Sequence, residues 1–141
     1  MCRPGGGRMR DFDVQTVEIE APFDVAFRYV ADARTLPEWT HALRSVSDGR
    51  ATLATPRGAL DIGLEVRASR ESGTVDWTMT FPDGSVGRAF SRLVAREGRT
   101  LYSFVLLAPP LPLEQVEGAL AEQSRTLREE LKTLQRRLGK A

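Results

Sequence analysis

The sequence predicts an α+β protein, an antiparallel sheet of about seven strands curved around one long C-terminal helix, with two short helices after the first strand. Three observations carry this. An alternating strand pattern near the N-terminus is followed at once by apolar residues at helical spacing. Between Ala42 and Leu107, short segments of period two recur between turn signals. After a proline-rich break, a leucine stripe runs almost to the C-terminus.

Phe12 to Glu20 alternates as a strand, with Val17 and Ile19 on one face. Ala21-Pro22 opens a helix, since proline is tolerated in a first turn, and Phe23, Ala26, Phe27 and Val30 follow at helical spacing. Thr35 and Glu38 have the spacing of a capping box, which predicts a second short helix carrying Trp39 and extending towards His41. Turn signals then recur at Asp48-Gly49, Pro56-Arg57-Gly58, Ser72-Gly73, Pro82-Asp83-Gly84 and Glu97-Gly98. Between them, Leu60, Ile62, Leu64 and Val66 alternate with Asp61, Gly63, Glu65 and Arg67. Val75, Trp77, Met79 and Phe81 alternate with Asp76, Thr78 and Thr80, so one face of this sheet is apolar and the other wet.

Pro109, Pro110 and Pro112 end the last strand by removing backbone donors. The helix that follows reaches roughly Leu138, about 40 Å at the usual rise per residue. Leu113, Val116, Leu120, Leu127, Leu131, Leu134 and Leu138 trace a narrow stripe, with Ser124 filling a gap. The stripe is compatible with a coiled-coil seam, but the apolar sheet needs a cover, and packing against it is the favoured reading.

A chain of 141 residues is one domain's length. Residues 1–10 read as a flexible Gly- and Arg-rich leader and 11–141 as a single domain; Met9 could itself be the start. Apolar residues at 41% and charged residues at 28% describe a globular chain rather than a disordered one. A net charge of +1 does not supply the positive excess that bulk nucleic-acid binding requires. No apolar run approaches the ~20 residues of a membrane span, so integral membrane association is not expected. The single cysteine, Cys2, allows no internal disulfide, the leader does not read as a secretory signal, and the expected location is the cytoplasm.

The segment Val17-Glu18-Ile19-Glu20-Ala21-Pro22-Phe23-Asp24-Val25-Ala26-Phe27, with Asp32 and then Leu36-Pro37-Glu38-Trp39, resembles the opening of the START-like, birch-pollen-allergen-like (SRPBCC) superfamily. Within it the chain is most similar to the polyketide cyclase/dehydrase-like branch. The resemblance covers nearly all of the chain after residue 11 and implies the helix-grip fold. It specifies activity far less, because the opening motif is a packing signature. Such families include ligand carriers, aromatic polyketide cyclases and quinone-binding proteins. The iron motif of the ring-hydroxylating relatives is missing from the sequence.

Strand parity adds candidate site residues. If Asp83-Gly84 closes a two-residue hairpin, Phe81 pairs with Val86, Met79 with Arg88, Trp77 with Phe90 and Val75 with Arg92. Arg88, Phe90 and Arg92 would then face the apolar, concave side. In the next hairpin a bulged turn at Gly98 would send Tyr102 and Phe104 inward, and a two-residue turn Ser103 and Val105. The aromatics are the favoured pair, because large rings can line a cavity and gain little on a wet face.

Other chemistry finds little support. His41 is the only histidine, and Glu38-Trp39-Thr40-His41 lacks the second copy that a di-iron site needs, so no metal and no cofactor is expected. Gly84-Ser85-Val86-Gly87 is one residue short of a nucleophile elbow and lies in a hairpin. The Gly5-Gly6-Gly7 run has no phosphate-loop lysine after it. Catalytic candidates reduce to Arg88, His41 and Tyr102. A guanidinium on an apolar face needs a carboxylate, water or ligand oxygen. Arg88 is therefore either a ligand anchor or one half of an ion pair with Glu114 or Glu117.

The expected function is binding of a small, mainly apolar, aromatic or polyketide-like molecule between sheet and helix. Trp39, Leu64, Trp77, Met79 and Phe81 would line one side, Arg88, Phe90, Tyr102 and Phe104 the other, with Val116 and Leu120 from the helix. One alternative is a cofactor-independent cyclase or dehydratase, in which Arg88 stabilises an enolate and Tyr102 or His41 moves a proton. Another is a lipid or quinone delivery or protein-interaction module. A monomer or a homodimer fits either reading.

Overall fold

The computed structural model describes residues 11–41, 43–55, 58–108 and 113–139, with the backbone alone for 55 and 113–119. The expected leader, residues 1–10, lies outside the described residues. Strand β1 (Phe12–Ile19) leads into α1 (Phe23–Ala31), a single 3-10 turn (Ala33–Thr35) and α2 (Leu36–Trp39). Six strands follow: β2 (Leu43–Ser47), β3 (Arg50–Thr55), β4 (Gly58–Ser69), β5 (Thr74–Thr80), β6 (Val86–Arg96) and β7 (Arg99–Leu107). Helix α3 (Leu113–Gly139) ends the described chain.

All seven strands form one antiparallel sheet in the order β1-β7-β6-β5-β4-β3-β2. The hairpins between β2 and β7 are consecutive, as short turns dictate. The long connection through α1 and α2 carries the chain from one edge of the sheet to the other. Ile62, Leu64, Val75 and Trp77 are buried on the inner face, while Asp61 and Glu65 are exposed. Leu127, Leu131, Leu134 and Leu138 of α3 join the same buried cluster as these inner-face residues. The leucine stripe thus covers the sheet. The sheet and this helix form the helix-grip arrangement.

The short helices differ from their expected capping. Pro22 precedes α1 as its N-cap, in extended backbone. Thr35 does not cap α2; its hydroxyl donates back to the carbonyls of Tyr29 and Asp32 at 2.8 and 2.9 Å. The reason is that the chain already turns at Asp32, whose carboxylate accepts from the Arg34 amide at 3.0 Å. That leaves Glu38 free to bond elsewhere, and α2 ends at Trp39, before His41.

Strand β6 runs in the opposite phase to the one expected. The loop after β5 has three residues, Pro82-Asp83-Gly84, not two. The Gly84 amide donates to Phe81 O and the Phe81 amide to Ser85 O, both at 2.9 Å. Pro82 suits the first corner of such a turn, and Gly84 at φ +90° supplies the left-handed residue that closes it. One extra loop residue shifts the phase of β6. Met79 pairs with Gly87, Thr78 with Arg88 and Thr74 with Arg92. Arg88, Phe90 and Arg92 therefore stand on the outward face, and Gly87, Ala89, Ser91 and Leu93 face inward.

The next turn contains two residues, Glu97 and Gly98, both at positive φ, with Arg96 paired to Arg99. Because β6 has already changed phase, this turn directs Tyr102 and Phe104 inward, opposite Leu93 and Ser91. The favoured facing of the aromatics is found, through a different pair of turns from the one that suggested it.

Candidate functional site: the aromatic interior

Strand β6 presents only small inward side chains, Gly87, Ala89 and Ser91, along the stretch facing Trp77 and Met79. These small side chains leave the middle of the sheet to the aromatic rings of the neighbouring strands. Trp77 from β5 and Phe104 from β7 lean across it and stack, with centroids 5.6 Å apart and planes at 25°. Tyr102 meets Phe104 edge-on at 6.3 Å. Phe81 and Met79 close over Gly87, where an added Cβ would lie 3.3 Å from the Phe81 ring. A side chain of any size at position 87 would displace that ring.

Three polar atoms of this interior have no hydrogen-bond partner among the described residues: Trp39 Nε1, Trp77 Nε1 and the Tyr102 hydroxyl. Their residues are 2%, 5% and 0% exposed. Buried polar atoms are normally paired, and leaving one unpaired costs ~1–3 kcal/mol. Burial pushes the Tyr102 phenol well above its ordinary value, so it remains a protonated donor through the neutral range. The Ser91 hydroxyl, which donates its own proton to the Val75 carbonyl at 2.5 Å, keeps its oxygen close enough to the phenol to oppose this rise without completing a hydrogen bond. All three unpartnered groups are hydrogen-bond donors.

The structure brings together Trp39, Leu64, Trp77, Tyr102 and Phe104 in one buried cluster, with Met79 and Phe81 packed against it. Leu120 is also buried, outside that cluster. The side chain of Val116 lies outside the described residues, as do those of Glu114 and Glu117. Arg88 and Phe90 are not part of the interior; both are exposed on the opposite face. Arg88 therefore does not face an interior ligand, and the ion pair expected with Glu114 or Glu117 falls on side chains outside the described residues. His41 is exposed beyond α2, and its backbone N–H donates to Glu130 Oε2 of α3 at 2.7 Å.

Two features escaped the sequence reading. Asp13 and Gln15 share the inward parity of Val17 and Ile19, a signal that was visible in β1. Asp13 is 9% exposed, and Gln15 Nε2 donates both to its carboxylate and to the Ser124 carbonyl of α3, each at 2.9 Å. At the other end, Tyr29 donates to Glu38 Oε1 at 2.6 Å while Arg137 Nε donates to the Tyr29 hydroxyl at 2.9 Å. Burial and the Glu38 carboxylate together push the Tyr29 phenol up to about 12. This trio and the His41–Glu130 bond hold α2, and with it Trp39, against α3.

A separate open groove of about 430 Å³ lies along α1, lined by Asp24, Phe27, Arg28, Ala31, Asp32 and Arg70. Three of its four charged residues are already engaged, since Arg70 pairs with Asp24 and Arg34 with Asp32. Among the described residues no cluster of histidine, cysteine and carboxylates could hold a metal ion, and no helix is long and apolar enough to cross a membrane.

No family model matches the chain, and no curated protein does. Solved structures do. A START superfamily protein from Mycobacterium smegmatis aligns over 93% of this chain and 99% of its own, at 16% identity and a TM-score of 0.64. The ZhuI aromatase/cyclase from a Streptomyces species aligns over 90% and 87%, at 12% identity and a TM-score of 0.55. StfQ, a di-domain aromatase/cyclase of steffimycin biosynthesis, aligns over 89% of this chain but 44% of its own, at 14% identity and a TM-score of 0.58. The chain, with its seven strands, two short helices after the first and gripping C-terminal helix, thus shares its overall fold with a START superfamily protein and with two aromatase/cyclases.

Proposed function

We propose that the protein binds a small, mainly apolar molecule, aromatic or polyketide-like, between the inner face of the sheet and α3. The observation that carries this reading is the set of unpartnered donors on Trp39, Trp77 and Tyr102 within an otherwise apolar interior. A ligand with a hydrophobic body and acceptor oxygens would satisfy them and bury its own apolar surface against Leu64, Met79 and Phe104. Arg88 has no part in this site, and the polar anchoring falls to Tyr102 and the two indoles. The fold shared with two aromatase/cyclases supports the same substrate class.

Titration with an apolar naphthalene fluorophore tests the reading. Saturable uptake, a raised melting temperature and quenching of the tryptophan emission are expected, because a ligand that binds only the folded state stabilises it by mass action. A protein that takes up no probe and shows no thermal shift would remove the proposal. A second reading, a cofactor-independent cyclase or dehydratase, rests on Tyr102 alone, whose phenol burial keeps protonated as a hydrogen-bond donor to an enolate oxygen. His41 and Arg88, both exposed, do not support it.

A further inference from the structure

The outward face of β6 reads Val86, Arg88, Phe90, Arg92, Val94, Arg96, an alternation of apolar and cationic side chains in which all six are exposed. Its neighbours extend the apolar part. Phe90 lies across from Val105 of β7, and Val105 across from Val14 of β1; Leu107 lies across from Phe12. Phe12 and Val14 are each 49% exposed, more than any other large apolar side chain among the described residues. An exposed apolar patch on this scale marks a contact surface.

Its charge selects the partner. No carboxylate pairs with Arg88, Arg92 or Arg96 among the described residues. Glu18 on the same face is held by Arg99 at 2.6 Å, and Asp76 lies opposite Arg67 and accepts from the Ser91 amide. Of the eleven residues before β1, Arg3, Arg8 and Arg10 are basic and Asp11 is acidic, a net excess of positive charge. A second copy docked about a two-fold axis would set one arginine row against the other. A single-stranded nucleic acid would need rings in succession to stack on, whereas the two phenyl groups here are separated by aliphatic side chains. Phosphate headgroups over an apolar boundary match both halves of the pattern.

We propose that the outer face of β6, β7 and β1 docks the protein on an anionic phospholipid bilayer, with arginines on the phosphates and Phe12, Val14, Phe90 and Val94 at the acyl boundary. The full chain should co-sediment with phosphatidylcholine vesicles containing about 30% phosphatidylglycerol, less so as salt is raised, and at least tenfold more weakly with phosphatidylcholine alone. The triple variant Arg88→Gln, Arg92→Gln, Arg96→Gln should bind the anionic vesicles roughly 100-fold more weakly, since each basic residue near the surface supplies about one fivefold step at room temperature. Phe12→Ser with Phe90→Ser should weaken binding as well. These side chains are exposed, so an unchanged melting temperature verifies that each variant is folded. Failure to bind anionic vesicles, or binding that is indifferent to the arginines, would overturn the proposal. So would tighter binding to a single-stranded oligonucleotide than to the vesicles, or a dimer in sedimentation that the phenylalanine changes dissolve.

Discussion

Replacing Tyr102 by phenylalanine removes one oxygen and keeps the ring. In most proteins the loss of a buried tyrosine hydroxyl destabilises, because a hydrogen bond goes with it. Here the hydroxyl is fully buried and has no partner among the described residues, while the edge contact with Phe104 involves only the ring. The wild-type protein without ligand therefore carries the desolvation penalty of an unpaired group, ~1–3 kcal/mol, and Tyr102→Phe should recover most of it. We expect a gain of ~1–2 kcal/mol, a rise in Tm of ~3–8 °C for a chain of this size. Urea unfolding of ligand-free protein should show a higher midpoint at unchanged m. In the loaded protein the sign reverses, and a carbonyl-bearing naphthalene should bind ~2–10-fold more weakly to the variant while its hydrocarbon analogue binds equally. If Tyr102→Phe instead destabilises the empty protein by ~1 kcal/mol, the hydroxyl was already bonded, with Ser91 as the nearest candidate, and the argument from unpartnered donors fails.

Leu127, 3% exposed in the stripe that faces the sheet, should cost ~2–5 kcal/mol on truncation to alanine, measured by urea unfolding of the monomer; a loss confined to dimer affinity would favour a coiled-coil role instead. Gly73→Ala should destabilise by ~2–4 kcal/mol, because φ is +74° and the new Cβ would lie 2.4 Å from the Leu93 carbonyl oxygen; melting within 1 °C of wild type, about the noise of the measurement, would show that this turn relaxes freely. The Tyr29 phenol, raised to about 12 from 10.0, contributes stability that is complete below pH 10 and disappears as pH rises towards 12. Alkaline melting curves should fall more steeply for wild type than for Tyr29→Phe across that window, and parallel curves would contradict it.

The sequence by itself determined what local chemistry determines. The inner face of β4 and β5 was legible because Ile62, Leu64, Val75 and Trp77 alternate with polar residues, and no other phase buries them. Helix α3 was legible because only one side of it is apolar. Trp39, Leu64, Trp77, Tyr102 and Phe104 were brought to one interior as that reading expected. The placement of Arg88 and Phe90 was not legible, since it depends on how many residues the β5–β6 loop contains. Two and three residues both accommodate Pro82-Asp83-Gly84, and the choice inverts every side chain of β6.

Only the tertiary structure decided between them, and the reason is energetic. In the three-residue loop Gly84 takes the left-handed corner at φ +90°, the Phe81 and Gly84 amides find carbonyls, and the Asp83 carboxylate accepts from the Ser85 amide at 2.9 Å. The same phase puts three guanidinium groups in water and Gly87, Ala89 and Ser91 beneath the aromatic rings. A two-residue turn would have turned Arg88 and Arg92 onto the apolar face, where a buried guanidinium left unpaired costs several kcal/mol. The unpaired state of the Trp39, Trp77 and Tyr102 donors likewise exists only once strands distant in sequence have met, because a hydrogen-bond partner is a property of packing and not of spacing along the chain.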